Sequence, residues 1–214
     1  MNTNMLWNSD DQDLWEHQLN RYWSFVKKDD HMAIEKELDT LAALSVKSMD
    51  AESWYNFLLH KYFFWKFTAP NRYATTTGHL MNQRNTKGGL EHLYKTKERI
   101  FQFDKNNIRE GIEITKGPNI KGLGVAGASG LLALLFPSHF ATMDQFVIQA
   151  LQQVQDSPEL ILVKSMNPSC AISSRNGAIL INIMKNKADK LNTLWNTTDW
   201  TPRKVDKVLW VAGR

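Results

Sequence analysis

Several residue patterns are rare or absent in this chain of 214 residues, and each absence excludes a class of protein. Cys170 is the single cysteine, so the chain forms neither an internal disulfide framework nor a four-cysteine iron–sulfur cluster. No apolar run reaches the length of about 18 residues that a membrane span needs, and the first residues lack the pattern of a secretion signal. We therefore expect a cytoplasmic protein with no membrane partner.

The composition favours a compact helical protein with a slightly positive surface. Hydrophobic residues make up 43% of the chain, and eight tryptophans and ten phenylalanines supply large side chains for a core. The formal charge of +4 permits a nucleic-acid partner but does not require one. Apolar residues recur mainly at helical spacing, for example over 50–67 and 174–195, which predicts an all-α fold.

Two predicted helices near the middle of the chain are joined by a glycine-rich segment. A helix is expected over 106–116, before Gly117 and Pro118, and a second one from near Val125 to just before Pro137. The pattern indicates a helix, a tight hairpin and a second helix.

The hairpin has the composition of an anion-binding turn. Gly122 and Gly124 flank Leu123, and glycine lets a backbone approach a ligand closely because it has no Cβ. The start of the following helix offers N–H groups without acceptors, which attract an anion such as a DNA phosphate. The alternative is a tight turn that only connects two packed core helices.

This pattern resembles the helix-hairpin-helix DNA glycosylase superfamily over about residues 110–155. In that family a hydrophobic-x-Gly-hydrophobic-Gly hairpin precedes a helix of small residues, and an aspartate follows at the head of a further helix. Here the hairpin is Ile120-Lys121-Gly122-Leu123-Gly124, and Asp144 stands at the family's usual spacing from it.

The resemblance implies a two-lobed fold with a cleft that holds an extruded base. The lobe with the hairpin would cover 32–140, and the second lobe would comprise 1–31 plus 141–214. Asp144 would lie at the cleft wall, where a carboxylate beside the sugar C1′ stabilises the positive charge that develops as the glycosidic bond breaks. The alternative for Asp144 is a helix N-cap, and both roles are compatible.

The resemblance also implies a phosphate site and a cation site at the hairpin. The N–H groups of Gly122, Gly124 and Ala126 would face a phosphate of double-stranded DNA, with Lys121 beside them. No cofactor is implied except a possible monovalent cation at the hairpin. The backbone carbonyls that match the family's cation site are those of Pro118, Ile120 and Leu123.

One position departs from the members of the family that also cut the DNA strand. Those members carry a lysine, which forms a Schiff base with C1′, two residues after the second hairpin glycine. This chain has Ala126 there, and Lys121 lies on the other side of the glycines. The resemblance therefore implies hydrolysis without lyase activity. The small side chain could admit a large modified base, or indicate a protein that only binds DNA.

Residues 68–73 are predicted to form a turn, since they contain the pair Pro70-Asn71. In the resembled superfamily a loop between early helices fills the gap that an extruded base leaves in the duplex. Asn71 and Arg72 would be the residues that do so here. The alternative is an ordinary turn with Arg72 as a surface charge.

Three functions therefore remain open on the sequence. The first is a monofunctional DNA glycosylase that acts as a monomer on double-stranded DNA. The second is a helix-hairpin-helix module that binds DNA without chemistry, and the third is a helical interaction protein with no nucleic-acid role. The hairpin argues against the third, and Asp144 distinguishes the first from the second.

Overall fold

Helix is the only regular structure in the part of the chain that the computed structural model describes, residues 2–26, 29–155, 157–169 and 171–214. The all-α prediction is therefore confirmed, and Cys170 lies outside the described residues. The α-helices are α1 (Thr3–Asn8), α2 (Gln12–Arg21), α3 (Asp29–Asp39), α4 (Ala43–Lys47), α5 (Ala51–Asn56), α6 (Phe63–Lys66), α7 (Pro70–Asn85), α8 (Gly89–Gln102), α9 (Ile108–Thr115), α10 (Val125–Leu135), α11 (Gln145–Gln152), α12 (Ile161–Lys164), α13 (Ser174–Trp195) and α14 (Pro202–Ala212). Shorter 3₁₀ turns cover Tyr22–Phe25 and Pro158–Leu160, and a π-helical segment, Phe57–Tyr62, joins α5 to α6.

Short polar side chains cap the first turn of several helices. The Ser173 hydroxyl accepts the Asn176 N–H at the start of α13, and the Thr201 hydroxyl accepts the Lys204 N–H at the start of α14, both over 3.2 Å. Such caps satisfy donors that have no acceptor in the first helical turn. The predicted helix over 174–195 is confirmed at both ends.

The predicted turn over 68–73 is wrong, because α7 begins at Pro70 and places Asn71 and Arg72 in its first turn. Proline is well suited to the first helical position, since its φ is already helical and its missing N–H has no acceptor to lose there. The same helix continues to Asn85. Asn71 and Arg72, the residues expected to fill the gap that an extruded base leaves in the duplex, therefore lie on a helix and not in a loop.

The small residues of α10 allow the aromatic helix of residues 51–66 to pack closely against it. A Cβ at Gly130 would lie 2.9 Å from the Tyr62 hydroxyl and 3.3 Å from Lys66 Nζ. The Tyr62 hydroxyl donates to the Gly127 carbonyl. This contact places Lys66 and its neighbours on α6 beside the helix that follows the hairpin.

Helix α14 passes through the interior and packs against α2, α11 and α13. Apolar residues such as Val205 and Val208 are fully buried, and three charged residues, Arg203, Asp206 and Lys207, are nearly so. No helix in the described ranges combines the length and apolar content needed to cross a membrane. The division into lobes at 32–140 and at 1–31 plus 141–214 stays a prediction.

One buried lysine lies away from the hairpin, on α13. Lys187 is 5% exposed, its Nζ donates to the Trp7 carbonyl over 2.6 Å, and it lies 5.0 and 4.9 Å from the ring centroids of Trp7 and Trp15. Burial, with a smaller contribution from Lys190, lowers the pKa of Lys187 to about 8. The tryptophan faces and the carbonyl partly offset the desolvation of this charge.

We expect Lys187 to make the protein more stable as the pH rises above about 8. A lysine with a lowered pKa in the folded state binds its proton more weakly there than in the unfolded chain, so deprotonation favours folding. The slope from this one group approaches ~1.4 kcal/mol per pH unit between its folded and unfolded pKa values. Urea unfolding at about pH 7.5 and pH 9.5 should show this extra slope in the wild type and not in Lys187→Met. The exposed control Lys95→Met should keep it, and equal slopes in all three proteins would contradict the prediction.

Candidate functional site

The segment between α9 and α10 forms a tight hairpin. The Gly117 N–H donates to the Leu123 carbonyl over 2.8 Å, and the Leu123 N–H donates to the Ile120 carbonyl over 3.2 Å. The Gly117–Pro118 peptide is cis. The carbonyls of Ile120 and Leu123 thus each accept one N–H, and a carbonyl oxygen has a second lone pair. The cation site at Pro118, Ile120 and Leu123 stays a prediction.

The hairpin is held against α7 by Gln83, whose side chain is buried. Its Oε1 accepts the Lys121 N–H and its Nε2 donates to the Asn119 carbonyl, each over 2.7 Å. This pair of bonds fixes the backbone on the outer side of the hairpin, while the Lys121 side chain stays exposed.

The fold constrains the two hairpin glycines differently. Gly122 has a φ of +93°, and a Cβ there would lie 2.6 Å from the Thr76 carbonyl oxygen of α7, so the fold itself requires glycine. Gly124 has a φ of −82° and is exposed, and nothing lies within 4 Å of the position of its Cβ. The packing around position 124 therefore does not require glycine.

The hairpin and the start of α10 present N–H groups that the protein does not use. Within the described residues, no acceptor bonds to the N–H of Gly122, Gly124 or Ala126. Gly124 and Lys121 are exposed, and Ala126 is half-buried. Free donors at the start of an eleven-residue helix suit an anion. The anion-binding role of the hairpin stays a prediction.

A cleft of about 690 Å³ opens next to α11 and α14 and contains Asp144 and Arg72. One group of its lining residues is aromatic: Tyr22, Phe25, Trp65, Phe67, Phe146 and Trp210. A second group is ionisable: His31, Glu35, Lys66, Arg72, Asp144, Arg203, Asp206 and Arg214. Rings and charges in one concave site are typical of a pocket for a planar polar ligand.

The extended segment before α11 holds Asp144 in the cleft wall. The Met143 N–H donates to the Ser129 hydroxyl of α10 over 3.0 Å, and the Thr142 N–H donates to Asp206 Oδ2 of α14 over 2.6 Å. Asp144 Oδ1 accepts the Phe146 N–H over 3.1 Å, which confirms the N-cap. The half-buried carboxylate is therefore fixed in direction through one oxygen, while no donor in the described part of the chain bonds to the other.

A buried network of charges, which the sequence interpretation missed, lines the same cleft. Arg203 Nη1 lies 2.9 Å from Asp206 Oδ1, and Nη2 lies 3.1 Å from Glu35 Oε1 of α3. The Trp65 indole N–H donates to the other oxygen of Glu35, and Arg203 Nη1 also donates to the Thr142 hydroxyl over 3.0 Å. Although burial lowers the pKa of Arg203, the negative charge of Asp206 raises it above its ordinary value. The guanidinium thus keeps its charge between the two carboxylates.

The predicted site residues divide between two places. Asp144 and Arg72 line the cleft, whereas Lys121, Gly122, Gly124 and Ala126 belong to the hairpin and its following helix. Ala126 does not line the cleft, so the space that its small side chain was expected to leave is not part of this pocket.

Asn71 does not line the cleft either, and its Oδ1 accepts the Arg72 N–H over 2.8 Å. The sequence signal for the missed network was Arg203 with Asp206, three residues apart on α14, because side chains at that spacing lie next to each other on a helix.

Comparison with known proteins adds no further assignment, since no protein-family model, curated protein or solved structure matches this chain.

Proposed function

We propose that this chain is a monofunctional DNA glycosylase of the helix-hairpin-helix superfamily. It binds double-stranded DNA as a monomer, extrudes a damaged or modified base and hydrolyses the N-glycosidic bond. The observation that carries the proposal is the position of Asp144. Its carboxylate caps α11 and lies in the wall of the 690 Å³ cleft. In this proposal the two lobes, 32–140 and 1–31 plus 141–214, form the cleft between them.

Each part of the site has a role in the proposed reaction. The free N–H groups of Gly122, Gly124 and Ala126 hold a phosphate beside the extruded nucleotide. The aromatic side chains of the cleft stack on the base, which reduces the cost of removing it from the duplex. Asp144 stabilises the positive charge on the sugar and orients a water molecule toward C1′. The water oxygen bonds to C1′, and one of its protons passes to the leaving base.

The absence of a lysine at position 126 supports hydrolysis without strand cleavage. A Schiff base needs an amine within reach of C1′, and Ala126 has none. Lys121 lies beyond the hairpin glycines and does not line the cleft, and the lysine that does line it, Lys66, lies on α6 and not at the position that the family uses for a Schiff base. The expected product is a free base and an intact abasic strand.

A second candidate is a module that binds DNA without chemistry, and one observation favours it. Asp144 already has a structural role as the cap of α11, so its presence does not by itself require catalysis. Incubation with duplexes that carry damaged or modified bases decides between the two. Release of a base, measured by mass spectrometry, supports the glycosylase, and tight binding with no release from any duplex supports the module.

The hairpin glycines give a test of the DNA-binding surface. Gly124→Ala should weaken binding to any duplex by about tenfold, since a methyl group would separate the N–H groups from the phosphate. Its effect on stability should stay below about 1 kcal/mol, because the space around the Cβ is empty.

Gly122→Ala serves as the contrast. Its Cβ would collide with the Thr76 carbonyl, so it should destabilise the protein by about 2 kcal/mol or more. Fluorescence anisotropy and urea unfolding measure the two effects. Unchanged DNA binding by Gly124→Ala at moderate salt would argue against a phosphate site at the hairpin.

A further inference from the structure

Arg214 follows α14 and places its guanidinium group against three aromatic rings of the cleft. The guanidinium carbon lies 3.7 Å from the ring centroid of Trp210, 4.9 Å from that of Phe146 and 5.7 Å from that of Phe25. The rings of Phe25 and Phe146 meet the Trp210 ring at 87° and 84°, with their centroids 5.9 and 6.0 Å from its own. The guanidinium therefore lies in an aromatic corner formed by these three rings.

Gly213 allows the chain to bring Arg214 to this corner. A Cβ at Gly213 would lie 2.0 Å from the Phe146 carbonyl oxygen, so glycine is needed for the backbone after α14 to approach α11 this closely. The backbone of Arg214 is thereby held next to α11, whereas Arg214 itself is exposed. Because its side chain is long and flexible, the guanidinium can leave the corner without a movement of α14.

The aromatic corner is next to Asp144. The Phe146 backbone N–H donates to the Asp144 carboxylate over 3.1 Å. Burial lowers the pKa of Arg214, and the negative charge of nearby Asp144 partly offsets this effect. A nucleotide whose C1′ lies beside Asp144 carries its base one bond away from that carbon. The three rings are therefore well placed to stack on the extruded base of the proposed reaction.

Arg214 and a base compete for the same face of Trp210. A guanidinium carbon 3.7 Å from the ring centroid is at stacking distance, which leaves no room for a second planar group between them. The positive charge of Arg214 also opposes the cation that develops on the sugar, since like charges at short range repel. Departure of the guanidinium would therefore uncover the ring and leave the charge of Asp144 to the sugar.

We propose that Arg214 is a gate residue, which occupies the base-stacking position on Trp210 until an entering base displaces it. This inference rests on the proposed function. A base then binds only to the fraction of molecules in which the aromatic corner is open, and its apparent affinity falls in proportion to that fraction. The same cost applies to any planar molecule that reaches the cleft, so the gate keeps weakly stacking ligands out.

Free adenine is the probe for the corner, because it is a planar base that needs neither DNA nor catalysis to bind. Its dissociation constant is measured from the shift of the Trp210 indole N–H signal in nitrogen–proton correlation spectra, assigned through Trp210→Phe. We expect adenine to bind Arg214→Ala about three- to tenfold more tightly than wild type. Arg109→Ala removes an exposed arginine of α9 outside the cleft and should leave the dissociation constant unchanged.

Methylguanidinium tests whether the planar cation itself is the competitor. In Arg214→Ala it should shift the Trp210 signal and weaken adenine binding, whereas in wild type the side chain already fills the corner and the effect should be much smaller. Sodium chloride at the same ionic strength controls for screening. Arg214→Lys keeps the charge but loses the planar group, so its affinity for adenine should lie between those of wild type and Arg214→Ala.

Three results would overturn the gate. Equal affinity of wild type and Arg214→Ala would show that Arg214 does not occupy the base position, and weaker binding by Arg214→Ala would show that the guanidinium stacks on the base instead of leaving. A Trp210 signal that adenine shifts in neither protein would show that a base does not bind at this corner.

None of these results decides the glycosylase proposal, which release of a base from duplexes tests separately. Tighter adenine binding by Arg214→Ala, without release of a base from any duplex, would keep the gate and overturn the glycosylase.

Discussion

Asp144→Asn should slow base release by about two to three orders of magnitude and leave DNA binding nearly unchanged. Asparagine has almost the same size and caps helices about as well as aspartate, so α11 should keep its start. What the variant loses is the negative charge beside the sugar, and losing one preorganised electrostatic group in an active site commonly has an effect of this size. Single-turnover kinetics measure the rate of base release, and an anisotropy titration of the same variant measures DNA binding, so the two effects are separated.

A matched control exists at another aspartate cap. Asp11 Oδ1 accepts the Leu14 N–H over 3.2 Å at the start of α2, and Asp11 does not line the cleft. Asp11→Asn should therefore release base at the wild-type rate and keep wild-type stability. Full activity in Asp144→Asn would refute the catalytic role of this carboxylate. A covalent adduct trapped by borohydride would refute hydrolysis without a Schiff base.

Arg203→Leu should lower the free energy of unfolding by about 3–5 kcal/mol. The leucine fills part of the space, but the carboxylates of Glu35 and Asp206 would then remain buried without the cation between them. The Thr142 hydroxyl would also lose its donor. Urea unfolding, followed by tryptophan fluorescence, measures the loss.

An exposed ion pair supplies the control for that variant. Arg84 Nη2 lies 2.9 Å from Glu52 Oε1, and both side chains are well exposed, so water screens the pair. Arg84→Leu should therefore cost less than about 1 kcal/mol. If the two variants lower the free energy of unfolding by the same amount, burial does not make the network more stabilising than an exposed ion pair. If Arg203→Leu does not fold, Arg203→Lys keeps the charge and should recover a large part of the stability.

Local chemistry determined the elements that could be predicted from the sequence. The period of apolar residues predicted an all-α protein and the long helix over 174–195. The hairpin glycines and the capping position of Asp144 were also evident, because a turn and a helix start depend on residues that lie close together in the chain. The start of α7 was missed because Pro70-Asn71 suits both a turn and a first helical turn.

Only the tertiary structure decided what surrounds Asp144. Arg203 meets Glu35 from a position 168 residues away in the sequence, and no local pattern encodes such a pairing. The distinction between Gly122 and Gly124 likewise depends on the Thr76 carbonyl of α7, which only packing brings to the hairpin. Burial and charge pairing are properties of side chains from distant segments, so the cleft and its charge network exist only once α3, α6, α11 and α14 have packed together.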